Sequence, residues 1–345
     1  MSSTDVPGVE RPAPEPRPVR PSAFAPGARG NADGPLVPQA SKGRESVPFD
    51  IPGVLVGTAE YGEGPTGCTV VHVPAGARTA ADVRGGAVGM VGGFDRNHAV
   101  CFAGGSVYGL AAAAGVSAEL LRRGDNRTHW ADLKLVSGAV IYDFSARDTA
   151  VVPDAELGRA ALDNARAGEF PVGRCGAGIG ASVGKLAIDT PRAEFAGQGA
   201  AYASFDTVNG PAKVLVGTVV NAVGVIVNRD GAVVRGNRHG DGVRRHPAED
   251  IRAGIGGGPA VPVSGNTTLT VLVTNVRLPD ASLQQFARQV HSSMHRAIQP
   301  FHTETDGDVL FALTTDEIEL AGATPTGFGA LASEVAWDAV LSSAV

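Results

Sequence analysis

A loop rich in glycine and proline (254–265) stops at Asn266, and a β-branched run, Thr267-Thr268-Leu269-Thr270-Val271-Leu272-Val273-Thr274-Asn275, begins at the next residue. Its rough polar/apolar alternation marks a buried strand, so a hydroxyl stands at the first position of that strand. A self-cleaving hydrolase places its nucleophile at such a join. Cutting the Asn266–Thr267 bond would give Thr267 a free α-amino group, titrating near pH ~7.7–8, beside its own hydroxyl. Such an amine serves as general base for the side chain it carries. Taken alone, the dipeptide is more simply a turn-to-strand junction, because Asn favours turns and Thr favours strands.

Composition narrows the choice. With 345 residues, 43% of them hydrophobic, the chain is long enough for one large or two ordinary domains with a substantial core. A formal net charge of −6 and the lack of any Lys/Arg run argue against nucleic acid or anionic membrane as a partner. Cys68, Cys101 and Cys175 are odd in number and far apart, which fits reduced buried thiols and a cytoplasmic protein. No segment approaches ~18 consecutive apolar residues, and the N-terminus has no apolar signal core. Residues 1–45 carry nine prolines among Gly, Ser, Ala and Arg. A flexible or extended arm is expected there, ahead of a single domain over 46–345.

From residue 48 the chain becomes regular. Val54–Gly57 and Gly67–Val73 read as a hairpin closed by the turn-rich 60–65. The strand Ala99–Phe102 leads through Gly104-Gly105-Ser106 into a helical run at 107–114. Strand, paired glycines and helix start aim backbone N–H groups at an anion or oxyanion, or equally let the helix approach the sheet, and the spacing matches neither nucleotide fingerprint. Residues 135–144 form another strand, ending at Tyr142-Asp143, and 154–166 another helix. Lys185 closes a glycine-rich run free of carboxylates, a setting for an ammonium with a shifted pKa as well as for a solvated loop lysine. Asn221 lies between the strands 214–220 and 225–227. Its amide needs partners, and donation to an oxyanion is one use of it; a turn is another. Many short strands with a few helices suggest a layered α/β sandwich.

Past the candidate nucleophile, Pro279-Asp280 opens a helix expected to run to about Gln299 with Asp280 as N-cap, and a last helix is expected near 327–343. His291 and His295 are one turn apart, a spacing that permits a metal pair, but no H-E-x-x-H pattern surrounds them and structural hydrogen bonds are the simpler use. Between the helices, Asp306-Gly307-Asp308 runs into the strand 309–314. Taken alone the segment is as simply a D-G turn before a strand; close carboxylates also push each other's pKa values apart, so that one could hold the threonine amine or hydroxyl while the other takes part in proton traffic. The glycine between them leaves room for a substrate or a second backbone.

Several blocks together carry a resemblance. Glu63–Gly67, His72–Thr79, Val140–Arg147, Gly265–Thr268, Val273–Arg277, Gln289–Arg296 and Asp306-Gly307-Asp308 resemble the self-processing D-aminopeptidase/β-peptidyl aminopeptidase family of N-terminal nucleophile hydrolases. Within it, the resemblance is to the endo-type hydrolases of 6-aminohexanoate (nylon-6) oligomers, and it covers most of residues 48–345. It implies a four-layer αββα sandwich and cleavage between Asn266 and Thr267 into fragments 1–266 and 267–345 that stay intertwined. It also implies a tetramer, with Thr267 as nucleophile, Lys185, Asn221, Asp306 and Asp308 around it, and Tyr142 near the substrate. No metal or organic cofactor is implied. Thr267 is then expected to attack an amide carbonyl, with Asn221 facing the oxyanion and Lys185 tuning the charge at Thr267. An aminopeptidase trimming N-termini, an acyltransferase using the same nucleophile, and a non-enzymatic assembly protein stay open beside that reading.

Overall fold

The computed structural model describes residues 26–186, 192–255 and 265–344; residues 1–25 of the expected arm and 256–264 of the loop before Asn266 lie outside the described residues. Nine strands form one hydrogen-bonded system: β1 (Leu55–Tyr61), β2 (Thr66–Val83), β3 (Met90–Val91), β4 (Arg96–Ala103), β5 (Val136–Val140), β6 (Gln198–Thr207), β7 (Gly210–Asn221), β8 (Thr267–Arg277) and β9 (Val309–Glu319). Their order is β6-β7-β8-β9-β2-β4-β5-β3, with β1 on the other edge of the first half of β2. Only β8/β9 and β4/β5 pair in parallel. Four principal helices cover the sheets: α1 (Ala111–Arg123), α2 (Ala155–Asp163), α3 (Asp280–Ser293) and α4 (Pro325–Ser342).

Alternation along the strands sorts their side chains into layers. On β8, Leu269, Val271 and Val273 enter a cluster that also holds Val71, Val100, Phe102, Leu215, Val309 and Phe311. Leu272 and Val276 point the other way, to Phe286 and Val290 of α3 and Val335 and Ala339 of α4. On β4, Val100 and Phe102 join the first cluster while Ala99, Cys101 and Ala103 face Ala112 and Val116 of α1 and Leu157 of α2. Three apolar layers between helices, sheet, sheet and helices make the four-layer αββα sandwich that the resemblance implies. β2 joins its halves. Near its start Cys68 and Val70 face α1 and α2, whereas Ala80 near its end faces α3 and α4, with a register irregularity between His72 and Ala77. No helix among the described residues is long and apolar enough to cross a membrane.

Three expectations shift. Residues 26–48, most of them in the expected arm, lie on the domain: Gln39 exchanges backbone hydrogen bonds with Glu60 (2.9 and 2.8 Å) and Glu45–Pro48 pairs antiparallel with Glu169–Val172. Edge backbone groups thus supply partners that composition does not reveal. The first helix after Thr267 ends at Ser293 instead of Gln299, because Pro300 disfavours helical geometry at Gln299 and Ile298–Gln299 pairs with Val225–Ile226. Its N-cap is Pro279, and Asp280 binds Arg78 at 2.5 Å instead of capping.

The middle layer carries much of the apolar burial, so it is the place to test the architecture. Phe311 is fully buried there, its ring 6.3 Å from that of Phe102. Phe311→Ala should lower the unfolding free energy by about 3–5 kcal/mol in a urea titration, with an unchanged far-UV spectrum.

Candidate active site

Thr267 is the first residue of β8, and its parallel neighbour β9 is entered through residues 303–308. Parallel pairing puts the entrances of both strands at one end of the sheet. Asn266 therefore lies beside Asp306 in a parallel bridge, and the Gly307 N–H donates to the Asn266 carbonyl at 2.7 Å. Thr267 Oγ1 donates to that same carbonyl oxygen, within the chain's own Asn266–Thr267 linkage. A side chain at 307 would place its Cβ 2.7 Å from Thr267 Oγ1, so glycine leaves room for the hydroxyl. Upstream, Gly265 has φ +100° and an added Cβ would lie 2.2 Å from Tyr142 Cβ, which makes the segment before the join pass directly over Tyr142.

The carboxylates face different elements. Asp306 Oδ1 accepts the Val223 N–H (3.2 Å) and Oδ2 the Thr303 N–H and hydroxyl (3.1 and 2.5 Å). Asp308 Oδ1 accepts the Thr268 N–H at 2.6 Å, while Oδ2 takes the backbone N–H and Nδ1 of His302 at 3.0 and 2.9 Å. The threonine hydroxyl thus bonds a carbonyl rather than the expected carboxylate. The glycine tract fixes the loop from outside, with Arg84 N donating to Asp308 O (3.0 Å) and Ala87 N to Asp306 O (2.8 Å).

Lys185 and Asn221 meet on the other side of Thr267. Asn221 is the cross-strand partner of Thr267 in the β7/β8 register. Lys185 Nζ donates to the Asn221 backbone O and Oδ1 at 2.9 and 3.0 Å, and Asn221 Nδ2 donates to the carbonyls of Tyr142 (3.2 Å) and Gly265 (3.1 Å). Burial brings the Lys185 pKa down to about 7, with the Asp306 charge opposing the shift. Burial, then the neighbouring Asp308 charge, raises that of Asp306. Tyr142 lies at the edge of this group, its ring edge-on to Phe144 at 5.3 Å, and burial raises its phenol pKa.

Thr267, Lys185, Asn221, Asp306 and Asp308 are therefore one cluster, with Asn266 and Tyr142 bordering it. The paired glycines 104–105 belong elsewhere: the Gly105 N–H donates to buried Asp143 (2.9 Å), so their anion is internal. His291 Nδ1 bonds Asp82 at 2.9 Å, and no group of three or more His, Cys, Asp or Glu among the described residues is placed to hold a metal ion. Sequence reasoning missed the Gly307 amide and His302. The first is a backbone group in a motif chosen for its carboxylates, and the second stands six residues before Asp308 with no pattern around it.

A chemical capacity follows from this geometry: a hydroxyl beside a carbonyl already held by an N–H donor, with a buried amine and two buried carboxyl groups nearby. Residues 49–345 match the model of Peptidase family S58. The chain is similar to the 6-aminohexanoate-oligomer endohydrolase of Kocuria sp. (strain KY2), 55% identical over 99% of this chain and 97% of that protein. The protein of the same name from Paenarthrobacter ureafaciens is also 55% identical, over 99% and 97%. Among solved structures, the L-aminopeptidase D-Ala-esterase/amidase of Ochrobactrum anthropi, described as a variant of the Ntn hydrolase fold, superposes with a TM-score of 0.61 at 17% identity, covering 85% of this chain and 84% of that one.

The buried amine makes a pH test available. Lys185 is harder to protonate in the fold than in the unfolded chain, where lysine titrates near pH ~10.4. The unfolded chain therefore binds more protons between these values, and the stability penalty is full below pH about 7 and fades as pH rises towards ~10.4. Lys185→Met should stabilise the protein by on the order of a few kcal/mol in urea unfolding at pH ~7, and by much less at pH ~10.

Proposed function

Because this chain belongs to peptidase family S58, we propose that it is a self-processing amide hydrolase that cleaves internal amide bonds of 6-aminohexanoate oligomers through an acyl-enzyme on Thr267. It is an enzyme of the hydrolase class acting on amides. One observation carries the reading: Thr267 Oγ1 touches the Asn266 carbonyl, whose oxygen accepts the Gly307 N–H at 2.7 Å.

Self-cleavage then follows in two steps. Thr267 Oγ adds to the Asn266 carbonyl carbon, and the Gly307 N–H stabilises the oxyanion, a contribution of ~3–4 kcal/mol for one such donor. The C–N bond breaks as its nitrogen takes the proton that the hydroxyl gives up, leaving an ester between Asn266 and Thr267 Oγ and an amine on Thr267. Water hydrolyses the ester, giving fragments 1–266 and 267–345 of one domain, with a free amine on Thr267. β8 lies between β7 and β9, which supports the two pieces staying together.

The same atoms serve turnover. The new amine, near pKa ~7.7–8, takes the hydroxyl proton as Thr267 attacks a substrate amide. Withdrawal of the Gly265–Asn266 segment frees Asn221 Nδ2 from the Gly265 carbonyl, so it joins Gly307 as an oxyanion donor. Lys185 adjusts the charge around Thr267, Asp308 fixes the Thr268 amide, and Asp306 fixes the 221–223 segment. The Tyr142 and Phe144 rings offer an apolar wall for a run of methylenes. Every step uses side chains, backbone and water. We also place the enzyme in the cytoplasm, which the unpaired buried thiols Cys68, Cys101 and Cys175 support, and assemble it as a homotetramer of processed pairs.

Intact-mass analysis with N-terminal sequencing tests the nucleophile. Wild type should yield two pieces, one beginning at Thr267, and Thr267→Ala one uncut, inactive chain; an uncut but active wild type would sink the mechanism. The processed enzyme should then hydrolyse 6-aminohexanoate oligomers whose amino end is acetylated, with kcat/KM rising through pH ~7–8 as the amine is freed. A strict need for a free amino end would make it an aminopeptidase instead.

A further inference from the structure

Behind Asp308 lies a cluster of imidazoles with no role in the steps above. His302 holds Asp308 Oδ2 twice, through its backbone N–H (3.0 Å) and Nδ1 (2.9 Å). The opposite oxygen, Oδ1, accepts the Thr268 N–H at 2.6 Å, one residue from the nucleophile. The His302 side chain is 9% exposed and its ring is stacked on Phe301, with centroids 3.8 Å apart. Its backbone has φ +59°, the left-handed region, which a side chain adopts only where the surroundings enforce it. The ring also meets His291 edge-on at 4.4 Å, and His291 is in turn fixed by Asp82 at 2.9 Å, a residue that also binds Arg84 at 2.6 Å.

The hydrogen-bond inventory sets the tautomer. A carboxylate accepts only, so His302 must donate from Nδ1, and its Nε2 finds no partner among the described residues. An imidazole buried with one nitrogen idle is spent on the other, and that other nitrogen points at Asp308. Without it, Asp308 Oδ2 keeps only the backbone N–H of residue 302, so the carboxylate, its bond to Thr268 and the start of β8 are held less firmly.

We propose that His302 is a positioning residue of this site: it clamps Asp308 Oδ2 so that Oδ1 holds the Thr268 amide and Thr267 stays in attacking position. The inference rests on Thr267 being the nucleophile. It requires that His302 act through Asp308 alone. His302→Phe keeps the ring and its stacking but lacks the donor; His302→Asn keeps a donor in a residue that tolerates positive φ.

The test is a double-mutant cycle on the full chain, read as the rate of appearance of the Thr267 N-terminus and as kcat and KM on a 6-aminohexanoate oligomer. His302→Phe should slow self-cleavage and lower kcat by about 10- to 100-fold with KM within about twofold, as expected for a residue that orients a reacting group. His302→Asn should restore rates to within about threefold of wild type. In an Asp308→Asn background, His302→Phe should add no further loss. Should the phenylalanine variant not fold, His302→Ala takes its place in the cycle. Wild-type rates in the variant lacking the donor, equal losses in it and in His302→Asn, or losses that simply add to those of Asp308→Asn would each overturn the proposal. A wild type that stays uncut would instead overturn the reading of Thr267, so the two failures are distinct.

Discussion

The parallel pairing of β8 with β9 is the constraint from which the site follows. Antiparallel partners would put the start of one strand beside the end of the other. Parallel partners put both starts together, and Leu269 opposite Val309 fixes the offset, so Asn266 falls beside Asp306 and its carbonyl meets the Gly307 amide. Parallel strands need a long connection, and here it is α3 with the 294–308 segment, which also brings His302 to the same end. A hydroxyl, an N–H donor and two carboxyl groups are thus assembled by backbone register before any side chain chooses a rotamer.

Such an end is costly to build. Lys185, Asp306 and Asp308 are all buried, and a buried charge without partners is unstable. The structure offsets this by giving each carboxylate several donors and by letting the lysine lose its proton readily. The result is a lysine that gains and loses its proton near neutrality, close to a carboxyl group, Asp306, whose pKa burial raises.

Much of this could be read from the chain itself. Alternation in Leu269–Val273 marked β8 and its two faces, the Asn266–Thr267 join marked the hydroxyl at its start, and Asp306-Gly307-Asp308 marked the carboxyl groups beside it; Lys185 and Asn221 were placed near it by resemblance. What escaped depends on backbone groups and on distant partners. Gly307 drew attention for its small size, but its N–H does the bonding. The pair Gly104-Gly105 has the local look of an anion site, yet the anion it meets, Asp143, arrives from another strand's end. Residues 26–45 read as part of an arm because composition is blind to hydrogen bonds such as those Gln39 makes with Glu60 along a sheet edge. The end of α3 was misjudged because the pull on Ile298–Gln299 comes from Val225–Ile226, more than seventy residues away in the chain.

The strand β2 has a wider meaning. By facing one helical layer near its start and the other near its end, it staples the two sheets into a single rigid frame. Neither sheet can slide over the other without breaking that strand's ladders. Tyr142 and Phe144 instead sit on a short irregular segment outside those ladders. The molecule divides its labour between a spine that keeps the starts of β8 and β9 in register and a border outside that register, where a side chain can change without shifting the spine.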